Sequence, residues 1–488
     1  MTSLKRVAGF LGLLLVVGSF TACGKDAVKA PQETTPLYYQ TAVELTQAIQ
    51  EKKVTSLELL NIYIDRIQRY NGPINAVVAM DIQGARARAM EADKALARGE
   101  IWGPLHGLPM TVKDIFAAVG MPATSGDPKL KDYMPPQNAD AVQRLVDAGA
   151  IILGKTNLPF HGLDFQSFNE VYGTTNNPWD LKRTPGGSSG GSAAALAAGF
   201  TPLELGSDLG GSIRTPSHFC GTFGHKPTWG LVSLQGHIPP MPPGLPRAMA
   251  KRIPLMTAGP MARSAEDLEL AFEVLVDPEE SHRLLPVRHK KISDYRVAVW
   301  LSDPYSYAEI DKDMMEVLLQ TAQKLKSAGL AVDLEARPDI NFEKIAGGLY
   351  YKMTGLLVAR KTVFPKELVE EQEKLKAAMA AFFQKYDVLL APVTATAALA
   401  HDHTGDMYHR NITVNGKEKR ALNYATWPCI AVAAELPATV APVGLTPQGL
   451  PIGIQIIGAR DEDRTTIDFA RGLSKIVGGF RIPPGYEG

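Results

Sequence analysis

The chain has 488 residues, of which 45% are hydrophobic and 21% are charged, and this is enough apolar material for one large core or two smaller ones. Lysine and arginine together number 51, as do aspartate and glutamate, so the formal net charge is zero. A neutral chain without long runs of like charge has no field that recruits nucleic acid or an anionic membrane. The composition therefore argues against both as partners.

The N-terminal segment has the pattern of an export signal. Two basic residues precede an apolar run over residues 7–17, which is short for a bilayer span. Small residues then lead to Cys23 and resemble the lipobox of bacterial lipoproteins, in which cleavage precedes a lipid-bearing cysteine. We predict a signal peptide over 1–22, lipidation of Cys23 and a tether over 23–36, with a plain signal peptide cut near Ala22 as the alternative. The predicted location is the bacterial cell envelope, with the lipid anchor as the only membrane contact.

Beyond the tether, helical and extended patterns alternate, which predicts an α/β fold. Apolar residues at helical spacing from Thr41 to Tyr70 predict one long helix that Gly72 and Pro73 should end. Residues 279–337 carry a strand, a helix and a second strand and are interpreted as a compact insertion. The other predicted helices are 83–98, 140–148, 193–198, 312–327 and 465–477, and the predicted strands are 76–80, 151–153, 297–301, 331–334 and 451–457.

Two segments rich in glycine and serine, 186–192 and 206–214, are candidates for a catalytic site. An alanine-rich helix former follows the first at once, so its serines and backbone N–H groups would stand at the start of a helix. In the second, Gly210 and Gly211 would let backbone N–H groups surround the Ser212 hydroxyl, as a developing oxyanion requires. A flexible linker and a tightly packed turn are the structural alternatives.

Lys113 is the candidate base. It follows a mostly apolar run over 108–112, and a lysine in a dry site loses its proton far more readily than an exposed lysine, whose pKa is about 10.4. The alternative is a solvated lysine or one that pairs with Asp114.

Together these segments resemble the amidase signature family. The resemblance runs in the family's order through Lys113, both glycine- and serine-rich segments and Lys226-Pro227-Thr228. It extends to segments on either side of the signature, and the fold that it implies is a large mixed, twisted sheet flanked by helices. The matching segments are 107–114, 154–157, 185–194, 206–214, 219–221, 226–228, 259–264 and 449–453.

The resemblance implies a Ser-Ser-Lys triad within one catalytic domain over 37–488. Ser212 is similar to the family's nucleophile, Ser188 to its bridging serine in an unusual cis peptide, and Lys113 to its base. The implied oxyanion hole consists of the N–H groups of Leu209, Gly210, Gly211 and Ser212, and the implied supporting polar residues are Ser189, Asp208 and Arg214.

The implied reaction is hydrolysis of a carbon–nitrogen amide bond to a carboxylate and an amine or ammonia through an acyl-enzyme. Neutral Lys113 would take a proton from Ser188, which takes one from Ser212, and the relay could return a proton to the leaving amine. The expected partner is a small-molecule amide, and neither a metal nor another cofactor is expected.

The sequence departs from many family members after Lys226-Pro227-Thr228. Trp229 stands where a tyrosine or arginine is common, and the proline-rich loop over 236–246 is expected to face the acyl pocket. This departure and the export signal argue against the transamidosome component that amidates glutamyl-tRNA. Hydrolases of small, aryl, fatty or oligomeric amides fit better.

Three other functions are open to the same sequence. Residues 186–190 also fit the Gly-x-Ser-x-Gly elbow of α/β-hydrolases, although polar residues broken by proline, 177–185, precede it where a strand is required. A solute-binding lipoprotein without catalysis would share the anchor, the size and the neutral charge. A metal-dependent hydrolase is suggested by a cluster of possible metal ligands, His401, Asp402, His403, Asp406 and His409. The alternative for this cluster is a hydrophilic loop.

Overall fold

The structure is a computed structural model that describes residues 35–237, 251–303 and 308–488. The predicted signal peptide, Cys23 and the tether up to residue 34 lie outside the described residues, as does the proline-rich part of the loop, 238–250. From Pro36 onward the chain forms one compact unit. Among the helices of the described ranges, none combines the length and the hydropathy that a membrane crossing needs.

A mixed sheet of eleven strands lies at the centre of this unit, with helices packed against it, so the predicted α/β class is confirmed. Most of its inner strands are buried along their whole length, as expected where helices cover both faces. Two small sheets of two strands each complete the set. The strands are β1 (Val77–Met80), β2 (Pro109–Lys113), β3 (Ile151–Thr156), β4 (Phe168–Asn169), β5 (Gly173–Thr174), β6 (Leu203–Asp208), β7 (Phe223–Lys226), β8 (Thr257–Ala262), β9 (Arg296–Val299), β10 (Ala331–Asp333), β11 (Val388–Pro392), β12 (Asn411–Val414), β13 (Lys417–Arg420), β14 (Ala438–Leu445) and β15 (Pro451–Ile457).

The strand order of the large sheet is β1-β3-β2-β6-β8-β7-β14-β15-β11-β9-β10. Strand β2 is parallel to β3 and β6, β9 is parallel to β10 and β11, and the remaining neighbours are antiparallel. Residues 279–337, predicted as an insertion, thus supply β9 and β10 to the edge of the main sheet. Their pairing follows from the apolar side chains of β9, which are buried against the core.

The helices match most of the predicted elements. A π-helix, Lys344–Tyr350, leads directly into the α-helix that begins at Tyr351. The described helices are α1 (Ala42–Gln50), α2 (Ser56–Ile74), α3 (Ile82–Ala97), α4 (Asp140–Asp147), α5 (Gly190–Ala197), α6 (Arg214–Cys220), α7 (Ala265–Leu275), α8 (Lys312–Ser327), α9 (Tyr351–Val358), α10 (Lys366–Phe382), α11 (Cys429–Ala433) and α12 (Asp463–Val477).

The single helix predicted from Thr41 to Tyr70 is in fact two helices, α1 and α2. Thr41 and Thr55 each form a capping box with a glutamate three residues later, so a second helix begins where the periodicity suggested continuation. Helix α2 also runs past the predicted stop at Pro73 and ends at Ile74, where Asn75 takes a left-handed conformation.

The topology places the candidate catalytic residues at one edge of the sheet. Strands β2 and β6 are parallel neighbours, so their carboxyl ends meet at the same edge. Lys113 is the last residue of β2, and Ser207 and Asp208 are the last two residues of β6. Helices α5 and α6 begin just after Ser188 and Ser212, respectively, so that both serines lie on loops before a helix.

Candidate active site

Lys113 is completely buried at the end of β2. Its Nζ lies 2.6 Å from the hydroxyl oxygen of Ser188 and 3.2 Å from that of Ser207. Burial lowers the pKa of Lys113 from 10.5 to about 7, although Asp208 and Glu204 oppose this shift. Much of this lysine is therefore neutral near pH 7, and a neutral amine can accept a proton.

Ser188 is held by a loop whose path requires glycine. The peptide bond between Gly187 and Ser188 is cis. A Cβ atom on Gly187 would lie 2.6 Å from the backbone oxygen of Asp164, so any side chain at this position would clash with the backbone. The hydroxyl of Ser167 donates to the carbonyl of Gly186 at 2.9 Å and anchors the same loop. These contacts fix the position from which Ser188 meets the lysine.

Ser212 lies beside the loop of Ser188. The backbone N–H of Ser189 donates to the carbonyl of Ser212 at 3.0 Å, and its hydroxyl donates to the carbonyl of Ser207 at 3.4 Å. Ser212 is 8% exposed and lines a cavity, whereas Ser188 is 3% exposed. No hydrogen bond between the Ser188 and Ser212 hydroxyls is present in the described part of the chain. The structure thus gathers the three predicted triad residues but leaves its two serine hydroxyls unlinked.

The loop after β6 differs in one respect from the predicted oxyanion hole. The N–H of Gly211 donates to the Asp208 carboxylate at 2.8 Å. The prediction that Gly211 offers a free donor therefore needs correction, because the carboxylate caps this turn from inside. The N–H groups of Leu209, Gly210 and Ser212 have no acceptor within the described ranges and are available to a substrate oxygen.

Asp208 and Arg214, predicted as supporting residues, form a fully buried ion pair. Two guanidinium nitrogens donate to the two carboxylate oxygens, each at 3.0 Å, and a third donates to Gln455 at 2.9 Å. Burial raises the pKa of Asp208, but the guanidinium outweighs burial and holds this pKa below its ordinary value. Asp208 thus remains an anion and accepts from the N–H groups of Gly211 and Ile213. The ion pair therefore fixes the loop that carries Ser212.

Tyr350 is a site residue that the sequence analysis missed. It is the last residue of the π-helix, and its hydroxyl donates to the carbonyl of Leu209 at 3.3 Å. A Cβ atom on Gly210 would collide with this hydroxyl, so the tyrosine packs directly against the loop. Tyr350 thereby orients the peptide between Leu209 and Gly210. No motif surrounds this tyrosine in the sequence, so no sequence signal could have found it.

Ser207 and His237 also lie at the site, although no role was predicted for either. Nε2 of His237 is 3.1 Å from the Ser207 hydroxyl oxygen, which in turn contacts Lys113. Ser207 lies inside the segment 206–214, and His237 belongs to the loop expected to face the acyl pocket. In the structure His237 points toward the lysine.

A cavity of about 250 Å³ opens in front of Ser212. Its walls are mostly apolar and aromatic and come from the loop around Leu163, the segment from the π-helix into α9, and residues near Tyr408. Asp164 is the one charged residue among its described lining residues, and the Arg410 guanidinium pairs with it. The cavity therefore offers a chamber without net charge beside Ser212. Its larger apolar side chains are Leu163, Phe165, Leu209, Tyr350, Tyr351, Val358, Met407, Tyr408 and Leu422.

The alternative sites find no support in the geometry. In the described ranges, no three His, Cys, Asp or Glu side chains are placed so that they could hold a metal ion. The ring of His403 stacks on Phe168 at 3.9 Å, and His409 bonds to Asp406 at 2.8 Å. The elbow of an α/β-hydrolase also lacks its strand, since residues 175–185 make only isolated bridges before the serine loop.

Comparisons with known proteins identify the family of the chain. The model of the family described as Amidase matches residues 58–355 and 351–467. The chain is 31% identical to fatty-acid amide hydrolase 2-A of Danio rerio, covering 99% of this chain and 98% of that protein. The solved structure of a bacterial aryl acylamidase is similar with a TM-score of 0.74 at 24% identity, covering 91% and 97%. That of 6-aminohexanoate cyclic dimer hydrolase is similar with a TM-score of 0.75 at 25% identity, covering 92% and 99%. The chain belongs to the Amidase family, the amidase signature enzymes that hydrolyse carbon–nitrogen amide bonds.

Proposed function

We propose that this chain is a serine amidase in which Ser212 is the nucleophile, Ser188 the relay and Lys113 the base. The observation that carries the proposal is the buried contact of 2.6 Å between Lys113 Nζ and the Ser188 hydroxyl. The lowered pKa of this lysine, about 7, supports the role, because an ordinary lysine would stay protonated at neutral pH and could not accept a proton.

Acylation begins with proton transfer along this relay. Lys113 accepts the proton of the Ser188 hydroxyl, Ser188 accepts that of Ser212, and the Ser212 oxygen attacks the carbonyl carbon of the amide. The Ser212 hydroxyl must turn toward Ser188 for this step. The tetrahedral intermediate then expels the amine, which receives its proton from Ser188 while Lys113 returns one to Ser188. The carbon–nitrogen bond breaks, and an acyl ester on Ser212 remains.

Deacylation uses the same groups with water in place of the amine. The relay takes a proton from water, whose oxygen attacks the ester carbon, and the Ser212 oxygen leaves with that proton. The products are the free enzyme and a carboxylic acid, which ionises. In both steps the N–H groups of Leu209, Gly210 and Ser212 would stabilise the negative oxygen, and the loss of one such donor typically costs about 10²–10³ in rate.

The substrate that we propose is a small-molecule amide with an uncharged, largely apolar acyl or aryl group. The cavity of about 250 Å³ in front of Ser212 supports this, because its walls are apolar and Arg410 already neutralises Asp164. A charged group would lose its hydration there without gaining a partner. The fatty-acid name of the Danio rerio relative is consistent with an apolar acyl group.

The test uses the chain from about residue 37 onward with a fluorophosphonate probe and a panel of primary, anilide and fatty amides. We expect the probe to label one serine in the wild type and none in Ser212→Ala, which should also lose amide hydrolysis to the detection limit. Ser281→Ala, which changes an exposed serine, is the control and should behave as the wild type. Activity of Ser212→Ala within about tenfold of the wild type would remove Ser212 as nucleophile.

We also propose that the enzyme is exported and lipid-anchored at Cys23. The support is the basic, apolar and small-residue pattern before this cysteine. Several acyl chains would anchor the protein stably, whereas a single chain gives only marginal membrane binding. Intact mass and metabolic labelling should find Cys23 as an acylated N-terminus. A Cys23→Ser form that is still cut at the same place and stays membrane-bound would contradict the lipid anchor.

A further inference from the structure

A chain of two polar contacts leads away from the proposed base on the side opposite the relay. Lys113 Nζ lies 3.2 Å from the Ser207 hydroxyl oxygen, and this oxygen lies 3.1 Å from Nε2 of His237. Ser207 is 5% exposed and His237 6%, so bulk water has little access to either. The mechanism proposed above uses neither residue.

The fold holds His237 in place. Its backbone N–H donates to the Leu234 carbonyl at 2.9 Å, and its backbone forms an isolated bridge with Phe116, three residues beyond the lysine. The Phe116 and His237 rings meet edge to face with centroids 5.2 Å apart. Burial, and then the charge of Lys113, lowers the pKa of His237 to about 3. The imidazole is therefore neutral, with one nitrogen that donates and one that accepts.

The orientation of the Ser207 hydroxyl matters because a neutral amine has only one lone pair. If Ser207 donated its proton to Lys113, it would occupy the lone pair that Ser188 needs. If Ser207 instead donates to His237, its oxygen can only accept from an N–H of Lys113. The lone pair then remains directed at Ser188, 2.6 Å away. The carboxyl groups that act on the lysine, Asp208 and Glu204, leave this choice unchanged because neither bonds to the Ser207 hydroxyl.

We propose that His237 is a positioning residue for the base: its Nε2 accepts the Ser207 hydroxyl proton, so that Ser207 accepts from Lys113 and leaves the lysine lone pair to Ser188. The inference rests on the proposed function of Lys113. It places the imidazole in the tautomer with the proton on Nδ1. His237 contacts neither the substrate nor the reacting atoms, and no proton passes through it during the reaction.

The test compares His237→Phe, which keeps a ring but removes the acceptor, with His237→Gln, whose side-chain oxygen can still accept from Ser207. We expect His237→Phe to lower kcat about tenfold with KM within about twofold, the size of effect that one net hydrogen bond allows. His237→Gln should recover kcat to within about threefold of the wild type. Recovery by glutamine would separate a hydrogen-bonding role from a packing role.

The pH profile of kcat/KM gives a second readout. In His237→Phe the free Ser207 hydroxyl would donate to the neutral amine and stabilise it, so the acid limb should move to lower pH while the plateau falls. A packing defect would admit water and raise the lysine pKa, which moves the limb to higher pH. An acid limb that moves to higher pH in His237→Phe, or a kcat and pH profile equal to those of the wild type, would overturn the inference.

Ser207→Ala is the matched background. Without a hydroxyl to orient, adding His237→Phe should change kcat by less than about twofold. A tenfold loss that persists in this background would mean that His237 does not act through Ser207. If His237→Phe fails to fold, the comparison uses Ser207→Ala with and without His237→Gln, and a change in kcat above threefold between them would overturn the inference.

Lys113→Met separates the two proposals. Activity in that variant defeats the proposed function. Loss of activity in Lys113→Met, together with an unaffected His237→Phe, defeats only the role of His237.

Discussion

Lys113 and Lys226 are both fully buried at the ends of strands of the same sheet, and burial lowers the pKa of each to about 7. Their surroundings differ. Lys113 Nζ faces the hydroxyls of Ser188 and Ser207, whereas Lys226 Nζ donates to the carbonyl of Pro227 at 2.8 Å. A carbonyl oxygen has no proton to give, so a neutral Lys226 has nothing to deprotonate. A lowered pKa alone therefore does not identify a base, whereas the chemistry of the facing oxygen does.

A third buried lysine shows another outcome. Lys155, on the strand next to Lys113, pairs with the Asp114 carboxylate at 3.3 Å and also donates to the Phe116 carbonyl. Its ammonium group thus has a charged partner that Lys113 lacks. Removing one member of such a pair leaves an uncompensated charge in the interior. Lys155 is therefore expected to contribute to stability, and Lys113 to catalysis.

Substitution of the two buried lysines with a pKa of about 7 should affect catalysis very differently. Lys113→Met should lower kcat/KM for an amide by about 10²–10⁴, the usual contribution of a general base, because the relay then has no acceptor. Lys226→Met should stay within about tenfold of the wild type, since no proton passes to Lys226. Steady-state kinetics on folded proteins measures both. Equal losses in the two variants would make Lys113 a structural lysine.

An amide and an ester with the same acyl group test whether Lys113 also delivers the proton to the leaving group. An alkoxide leaving group needs less help from a proton than an amine does, so Lys113→Met should lose less on the ester when acylation limits the rate. Equal losses of only a few-fold on both substrates would contradict the relay through Ser188.

The next effect concerns stability. Lys155→Met should lower the free energy of unfolding by about 3–5 kcal/mol, because Asp114 would remain buried without its partner. Lys113→Met should change it by less than about 1 kcal/mol, since its hydroxyl partners are neutral and a costly buried amine is removed. Urea unfolding followed by fluorescence measures both changes. If Lys155→Met were as stable as the wild type, the ion pair between Lys155 and Asp114 would make no contribution to stability.

The pH dependence of the wild type follows from the lysine. In the proposed mechanism Lys113 works in its neutral form, and its pKa is about 7, so kcat/KM should fall about tenfold per unit below pH 7 and level off above it. Burial raises the pKa of nearby Glu204 to about 8, and its ionisation should broaden the upper part of the rise. His237, with a pKa of about 3, does not titrate in this range. A kcat/KM that falls as the pH rises from 6 to 8 would mean that Lys113 works in its protonated form.

The main residues of the candidate site could be predicted because they lie in short contiguous motifs. Ser188, Ser212 and the Asp208–Arg214 loop lie in two short segments, and Lys113 closes an apolar run. The hydrogen bond from the Gly211 N–H to the Asp208 carboxylate could not be predicted, because only the folded turn brings the two groups together. Tyr350 is 138 residues beyond Ser212 in the sequence and reaches the loop only through the fold.

The fold was predictable to a similar degree. The α/β alternation and most elements follow from hydrophobic periodicity, but at the break between α1 and α2 the capping box at Thr55 outweighs that periodicity and starts a second helix. The membership of β9 and β10 in the main sheet depends on the pairing of β9 with β11, more than 50 residues away along the chain, and β10 then pairs with β9. Such long-range pairing leaves no local pattern.

The histidine loop, residues 401–409, is the alternative to the Lys113 site and can be tested as a metal site. EDTA should change kcat/KM by less than about twofold, because the proposed nucleophile is a hydroxyl and the proposed base an amine, and neither needs a metal to be activated. The rings of His401 and His403 are 5.3 Å apart, but no third ligand joins them among the described side chains. His403→Ala, which removes a ring stacked on Phe168, should likewise keep kcat/KM within about threefold. The measurement is activity before and after chelation, with zinc added back. Loss on chelation with recovery by zinc, and loss in His403→Ala, would move the catalytic centre from Lys113 to the histidine loop.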